Sequence, residues 1–219
     1  FVAKNGCLFI ISSSGANLDY FTSEDLSLQT KAGSVEVFKT HAIHGIHCKK
    51  LKGEGVSEGE GIIIVYGDKT VTILNQEGFE TQCSLTLPDL VLDCQLITPQ
   101  SLSPPSSSDT ASLHYILVGT AHNFIDVFDY DHGQRHLQRF QHSICACLFS
   151  LTIASSLTSS SVHIASGTAF GKILLWNLHD IGLDGYEGAD SERKASMSYG
   201  KTLVGHEGVI FRVAFNKDC

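Results

Sequence analysis

The sequence predicts an all-β protein made of repeated antiparallel strand units, because one pattern recurs along its 219 residues. Residues 115–130 read YILVGTAHNFIDVFDY, and residues 163–178 read HIASGTAFGKILLWNL. The two passages align with Gly119 on Gly167. Each has a short apolar run, a tight polar turn and alternating residues that end in an aromatic side chain. This is the pattern of a β-hairpin.

Two further copies of the hairpin occur nearer the start of the chain. Residues 62–74 (IIIVYGDKTVTIL) place Gly67 in the same position, and residues 8–21 (LFIISSSGANLDYF) place Ser12 there. A self-similar unit that returns about every 50 residues indicates a repeat architecture, in which each copy is one supersecondary unit.

Another short apolar segment that predicts a strand recurs between the hairpins and again after the last one. These segments are 44–48, 90–97, 144–150 and 208–215. A fourth strand at the edge of the unit is expected in stretches such as 79–86 and 201–204. Four antiparallel strands per repeat are typical of a β-propeller blade.

We therefore predict an incomplete WD-repeat β-propeller over residues 1–219, with about four blades of a larger, seven-bladed ring. The expected blades are roughly 1–40, 41–88, 89–140 and 141–204, and the next blade would start in 205–219. The chain opens on Phe1 and its only methionine is Met197, which predicts a piece of a longer protein.

The repeat is longer than the roughly 40–45 residues of a WD repeat, and three inserted stretches account for the excess. They are rich in Ser, Pro or charge, so flexible surface loops are expected at 99–112, 150–162 and 180–200. A kelch propeller has a period near 50 residues but would carry a Gly-Gly pair after the second strand, and the sequence has none there.

The WD assignment rests on two short motifs. Gly205-His206, in LVGHEGVIFRVAF, has the form of the Gly-His pair that begins a WD repeat, followed by an alternating strand. Trp176-Asn177 stands where a Trp-Asp pair usually ends one. Both motifs predict structural roles within a blade.

In WD blades a loop His, a Ser or Thr, a turn Asp and a Trp form a buried hydrogen-bonded chain. We expect His142, Ser166 and Trp176 to form this chain in the best-preserved blade. Two departures accompany the prediction: Gln141 precedes the histidine in place of Gly, and the turn at 170–171 has no Asp.

The run HAIHGIH suggests a metal site at His41, His44 and His47. Spacing of three residues places side chains on one face of a helix, but the surrounding pattern predicts a loop that enters a strand, where such side chains point apart. Packing at the start of a blade is the alternative interpretation and the favoured one, so no metal is expected.

Charge and composition exclude several classes of function. Net charge is −8, and an acidic surface repels phosphate backbones, which argues against DNA and against a broad nucleic-acid patch. No apolar run approaches the roughly 20 residues that span a bilayer, so no membrane insertion is expected. Seven cysteines without a CxxC pair indicate buried, reduced thiols in a cytosolic or nuclear protein.

A hydrolytic or redox propeller enzyme would require catalytic or cofactor motifs, and the sequence shows none of them. The Gly- and Ser-rich stretches lack the Lys-Ser/Thr ending of a phosphate loop, and no GxSxG occurs. We therefore predict that the chain is not an enzyme and holds no catalytic residue, cofactor or metal.

Six segments, taken in order, resemble the amino-terminal propeller of the WD-repeat protein six family, and most of all its fungal members. They are HAIHGIHC, IIIVYGDKTVTIL, LPDLVLDCQLI, YILVGTAHNFIDVFDYDHG, HIASGTAFGKILLWNL and LVGHEGVIFRVAF. The similarity covers most of residues 35–215, interrupted by the Ser-rich stretches.

The resemblance implies a cytoplasmic, non-catalytic scaffold that partners a tRNA 2′-O-ribose methyltransferase and directs it to the wobble nucleotide of the anticodon. The methyltransferase carries the S-adenosylmethionine site, and tRNA is reached indirectly, through the complex. Family members are also linked to endosomal recycling. The alternative is therefore an endosome-associated adaptor in vesicle trafficking, whose Ser-rich loops would suit docking controlled by phosphorylation.

Overall fold

A computed structural model describes residues 2–4, 7–23, 30–50, 61–97, 114–155, 162–178, 196–198 and 200–216. These residues form seventeen β-strands and no helix. The chain divides into two compact units, Phe1–Pro88 and Asp89–Cys219. Each unit contains two antiparallel sheets that follow one another along the chain. In the second unit, a short parallel strand extends the first of its two sheets.

The first unit contains two four-stranded sheets, each with its strands in chain order. The first sheet is β1 (Val2–Lys4), β2 (Cys7–Ser14), β3 (Asn17–Ser23) and β4 (Thr30–Glu36). The second sheet is β5 (Gly45–Lys50), β6 (Gly61–Gly67), β7 (Thr70–Asn75) and β8 (Thr81–Thr86).

The core of the first unit forms because β6 is apolar on both of its faces. Every residue of this strand is buried. Ile63 and Val65 pack with Leu18 of β3, and Phe38 and Ile43 from the connection between the two sheets complete the cluster. Strands buried on both sides read as continuous Val/Ile/Leu runs, which is the pattern of residues 62–65.

The second unit contains the third and fourth sheets. The third sheet runs in the order β16 (Ser196–Ser198), β12 (His136–His142), β11 (Phe124–Asp129), β10 (Tyr115–Thr120) and β9 (Val91–Ile97). The fourth sheet runs in the order β13 (Leu148–Ser155), β14 (Val162–Thr168), β15 (Lys172–Leu178) and β17 (Lys201–Val204).

One core joins the two sheets of the second unit. It includes Ile125 and Val127 of the third sheet and Ile164, Leu174 and Trp176 of the fourth. Successive side chains of a strand point to opposite faces of the sheet, so every second residue of β14 and β15 can enter this core. Ile164 and Trp176 lie opposite each other and both belong to it. The hairpins predicted at 115–130 and 163–178 are thus the central strands of these two sheets.

The loop predicted at 150–162 is wrong over most of its length. Strand β13 continues to Ser155, and β14 begins at Val162, so only 156–161 lie between them and these lie outside the described residues. Ile153 is buried and pairs with Ile164. The Ser- and Thr-rich composition predicted a loop, although apolar residues alternate with polar ones from Leu151 to Ile153 as in a strand.

The loop predicted at 180–200 also contains ordered backbone. Residues Ser196–Ser198 form β16, which pairs in parallel with β12 at the outer edge of the third sheet. The rest of that prediction, 180–195 and 199, lies outside the described residues, and so does all of 99–112.

Two predicted first strands differ from the structure. The strand expected at 144–150 begins only at Leu148. The strand expected at 208–215 is not formed: no ladder of hydrogen bonds joins this segment to any described strand. A strand is stabilised by its neighbour, so alternation alone does not produce one.

Candidate functional site

The three residues predicted to form a hydrogen-bonded chain are brought together. His142 is the last residue of β12, Ser166 lies in β14 and Trp176 in β15, and all three are buried. The rings of His142 and Trp176 pack with their centroids 4.9 Å apart and their planes at 58°. All three side chains are therefore buried within the second unit.

The predicted hydrogen bonds within this group are not made. His142 Nε2, Ser166 Oγ and Trp176 Nε1 have no hydrogen-bond partner among the described residues. The backbone N–H of Ile144 donates to His142 Nδ1 over 3.0 Å, so Nδ1 is an acceptor and the neutral ring carries its proton on Nε2. Nδ1 has one lone pair, which this backbone donor occupies, so it is not free to accept a bond from the Ser166 hydroxyl.

Burial lowers the pKa of His142, because an apolar environment disfavours the imidazolium. Backbone contacts of the ring with Leu175 and Ile144 oppose this shift but do not outweigh it. Gly200 closes over this point, where a Cβ would collide with the ring and with the Leu175 carbonyl. The group is thus a closed packing site held in the neutral state.

Gly205 and His206 take no part in this buried group. Both are exposed, in the segment that follows β17. Gly205 has φ of 149°, a conformation that L side chains rarely adopt, and this is the physical reason for a glycine there. The Gly-His pair therefore lies between the end of β17 and the bend at 207–208.

A second polar group, which the sequence did not predict, lies on the third sheet. Asp126 in β11 is fully buried and pairs across the ladder with Arg139 in β12. Arg139 Nε donates to Oδ1 at 2.7 Å and its terminal nitrogen donates to Oδ2 at 3.0 Å. His136 Nε2 lies 2.9 Å from Oδ1, and the guanidinium stands 4.9 Å above the Phe124 ring.

The charges of this group support one another. Burial by itself raises the pKa of Asp126, but hydrogen bonds from His136 and Arg139 and the positive charge of Arg139 outweigh it and hold the pKa below its usual value. The same bonds raise the pKa of Arg139. Both groups therefore remain ionised at neutral pH, in a two-pronged pair that fixes β12 against β11.

A third group ties the start of the second unit to the β10–β11 turn. The backbone N–H of His122 donates to Asp89 Oδ2 over 2.7 Å, and His122 Nδ1 lies 2.9 Å from Oδ1. The Leu90 N–H donates to Oδ1 at 2.8 Å. Burial alone raises the pKa of Asp89, yet these hydrogen bonds outweigh it and lower the pKa.

A fourth group holds the β11–β12 turn at the opposite end of the third sheet. The His114 N–H donates to Asp131 Oδ2 over 2.6 Å, and His114 Nδ1 lies 3.2 Å from Oδ1 of the same carboxylate. Asp129 Oδ1 accepts the N–H groups of Asp131 and His132 at 3.1 and 3.0 Å. The two carboxylates thus stabilise the turn by accepting hydrogen bonds from its backbone and from His114.

The histidine run contacts three separate neighbours in the first unit. His41 stacks on Phe38 with centroids 4.2 Å apart, and His47 stacks on Tyr66 at 5.8 Å. His44 Nδ1 accepts a hydrogen bond of 3.4 Å from the β6–β7 turn. Within the part of the chain that the structure describes, no three His, Cys, Asp or Glu side chains are grouped so that they could hold a metal ion.

The cysteines correct the expectation of uniformly buried thiols. Cys83 and Cys94 are buried, and burial raises the pKa of Cys83 to about 11. Cys48, Cys145 and Cys147 are exposed, the last two because their segment precedes β13 and is not part of it. No helix long and apolar enough to cross a bilayer occurs among the residues that the structure covers.

Comparison with known proteins supports the architecture. No protein-family model and no curated protein matches the chain. The chain is similar to a solved structure described as the crystal structure of BBS1N in complex with ARL6DN, soaked with lead. The TM-score is 0.57, and the sequence identity is 11% over 79% of this chain. The chain spans half the length of that solved chain. At this identity the likeness shows the fold alone, and with the all-β sheets it confirms a partial β-propeller.

Proposed function

We propose that this protein is a non-catalytic WD-repeat scaffold that binds a tRNA 2′-O-ribose methyltransferase and directs it to the wobble nucleotide of the anticodon. The observation that supports the scaffold role is that the buried and half-buried carboxylates of the second unit bond its own turns and strands. Asp89, Asp126, Asp129 and Asp131 all accept bonds that hold turns and strands in place. Such groups make a stiff frame that presents loops, which is how propellers bind partners.

Charge supports a protein partner that supplies the contact with tRNA. The net charge of −8 repels a polyanion, whereas a methyltransferase that grips tRNA needs a basic surface. An acidic scaffold therefore complements the enzyme more readily than the nucleic acid. The specific choice of a wobble methyltransferase rests on the family resemblance of the six sequence segments.

The solved neighbour supports the general role by analogy of fold. BBS1N was crystallised in complex with ARL6DN, so a chain of this architecture holds another protein there. Fold does not specify which partner is bound, and the analogy supports protein binding as a class of function only.

The decisive experiment measures wobble 2′-O-methylation by mass spectrometry of tRNA from cells that lack the gene. We expect the modification to be lost and to return when the gene product is restored. Purified methyltransferase with S-adenosylmethionine and tRNA should act slowly alone and faster when the protein is added. An unrelated modification in the same tRNA serves as the internal control.

Normal wobble methylation in the deletion cells, or purification of the gene product without any methyltransferase, would contradict the proposal. Loss of cargo recycling while wobble methylation stays intact would instead favour the endosomal adaptor. Methyl transfer by the protein alone would exclude a scaffold and establish an enzyme.

A further inference from the structure

Two exposed cysteines lie close together in the segment that joins the third sheet to the fourth. Exposure alternates along this segment: Cys145 and Cys147 are exposed, whereas Ile144 and Ala146 are half-buried and pack against the core of the second unit. Neighbouring side chains of an extended chain point to opposite sides, and every second one shares a side. The two thiols therefore face solvent from the same side of the segment.

The backbone around this pair is held by hydrogen bonds. Asn123 Nδ2 donates to the carbonyls of His142 and Ile144 over 3.2 and 2.7 Å. Asn123 is fully buried in the β10–β11 turn, so this anchor belongs to the core of the third sheet. On the other side, the Ala169 N–H donates to the Cys147 carbonyl over 3.3 Å. The spacing of the two cysteines is thus fixed by the fold.

A disulfide between Cys145 and Cys147 does not fit this spacing. Two residues of extended chain span about 6.4–6.8 Å, and Cβ atoms on the same side are about as far apart. A disulfide requires Cβ atoms about 3.5–4.5 Å apart. Its closure would bend a backbone that hydrogen bonds hold on both sides. Both cysteines are free, and the pair is therefore a dithiol.

The same spacing fits two thiolates that share one metal ion. Each Sγ turns about χ1, so the two sulfur atoms can approach each other while the Cβ atoms stay in place. Two-coordinate binding needs the sulfur atoms about 4.6 Å apart, which is twice a metal–sulfur bond of about 2.3 Å. Thiolates are soft ligands, and they favour Zn²⁺, iron–sulfur clusters and Cu(I).

The number of ligands decides between these metals. A structural Zn²⁺ ion takes four ligands, and an iron–sulfur cluster takes four cysteines. Within the described residues, no three His, Cys, Asp or Glu side chains are grouped so that they could hold a metal ion, so neither set is complete here. Cu(I) is a soft ion that two thiolates can hold by themselves. The dithiol therefore matches Cu(I) best.

We propose that Cys145 and Cys147 form a surface site that binds one Cu(I) ion through two thiolates. Two S–H bonds break and two Cu–S bonds form, and both protons go to solvent. Copper stays in the Cu(I) state throughout, so the step needs no oxidant or reductant. The inference goes beyond the scaffold function and does not depend on which protein the scaffold binds.

Anaerobic titration of the full gene product with Cu(I), in competition with a chromogenic Cu(I) chelator, tests the site. We expect a tightly bound ion whose affinity depends on both thiols. Cys145→Ser and Cys147→Ser should each weaken binding by about 10²–10⁴-fold, because the gain from two linked ligands is lost. The matched control is Cys48→Ser, which removes the other exposed cysteine of the described residues and should leave the affinity unchanged.

Three results would overturn the proposal. Equal Cu(I) affinity in the unaltered protein and in both serine variants at 145 and 147 would show that other groups hold the ion. A Cu(I)-dependent dimer in light scattering would show that thiols of two copies share it. Closure of a Cys145–Cys147 disulfide by glutathione disulfide, read by mass spectrometry, would show that the segment bends and that the spacing argument is wrong.

X-ray absorption of the unaltered protein loaded with one Cu(I) ion provides a test that needs no variant. We expect two sulfur neighbours around the copper and no nitrogen neighbour. A copper surrounded by imidazole nitrogens would place the ion elsewhere and contradict the proposal, even if a serine variant does not fold.

Discussion

Substitution of Arg139 by methionine removes the guanidinium that neutralises the buried carboxylate of Asp126. The side chain of Asp126 is 1% exposed, so water cannot replace the two lost hydrogen bonds at 2.7 and 3.0 Å. His136 remains 2.9 Å from one carboxylate oxygen. Arg139→Met therefore leaves a buried charge with one partner, and we expect it to lower the free energy of unfolding of the second unit.

The magnitude follows from the burial of the two partners. Removal of one member of a fully buried ion pair costs about 3–5 kcal/mol. The Arg139 side chain is 32% exposed, so water screens the pair from one side and the remaining histidine offsets part of the loss. We expect a loss of about 2 kcal/mol. Arg139→Lys keeps the charge but not the two-pronged geometry, so it should cost about half as much.

The assay is urea unfolding followed by the fluorescence of Trp176, the single tryptophan of the 219 residues. This side chain is buried in the core that joins the third and fourth sheets. Asp126→Asn, Arg139→Met and the double variant complete a cycle, and we expect a coupling of at least about 1 kcal/mol. A coupling below about 0.3 kcal/mol would refute the reasoning, because the pair would then be no stronger than an exposed one.

The same pair predicts a pH dependence. The pKa of Asp126 is lower in the folded protein than in the unfolded chain, so its stabilising contribution is complete above the unfolded value of about 3.9. The contribution is lost as the pH falls through the lower folded pKa. The stability difference between the unaltered protein and Asp126→Asn should therefore shrink below about pH 4, and a constant difference from pH 7 to pH 2 would contradict the assignment.

Three further predictions concern the second unit and the thiols. Ser166→Ala should change the free energy of unfolding by no more than about 0.5 kcal/mol, because the Ser166 hydroxyl has no hydrogen-bond partner among the described residues. A loss above about 1.5 kcal/mol in urea unfolding would instead show that the hydroxyl belongs to a hydrogen-bonded chain. Gly167→Ala should cost about 1–3 kcal/mol through overpacking, whereas Gly208→Ala, with open space around it, should be tolerated in the same thermal unfolding measurement. Iodoacetamide at pH 7.5 should label exposed Cys145 well before Cys83, whose burial raises its pKa to about 11; equal rates by mass spectrometry would contradict this.

The Asp126 group shows what signal the sequence contained and why it was not enough. A charged residue stands inside the apolar alternation of FIDVFDY, and an arginine stands inside HLQRFQH. A charged side chain is unusual in a buried strand and indicates an oppositely charged or hydrogen-bonding partner nearby. Which residues meet depends on the register of β11 against β12, where the ladder shifts after Val127. Spacing along one strand does not contain that information.

The buried histidine group shows the same division. The sequence predicted a hydrogen-bonded chain of His142, Ser166 and Trp176, because each occupies a recognisable position in its repeat, and all three side chains are buried in the second unit. The hydrogen bonds between them are not made, and the backbone N–H of Ile144 donates to Nδ1 of His142 instead. A backbone donor two residues away has no signature in the side-chain pattern, so the prediction failed at the level of single bonds.

The sequence by itself determined the all-β class and the central hairpins at 115–130 and 163–178, because alternation of apolar residues is a local property of each strand. Only the tertiary structure decided which segments became strands at the margins. Residues 150–155 became a strand because β14 offered a ladder, whereas 208–215 found no partner among the described residues. A strand requires hydrogen bonds from a partner segment in register beside it, and the periodicity of one segment does not show whether that partner is present.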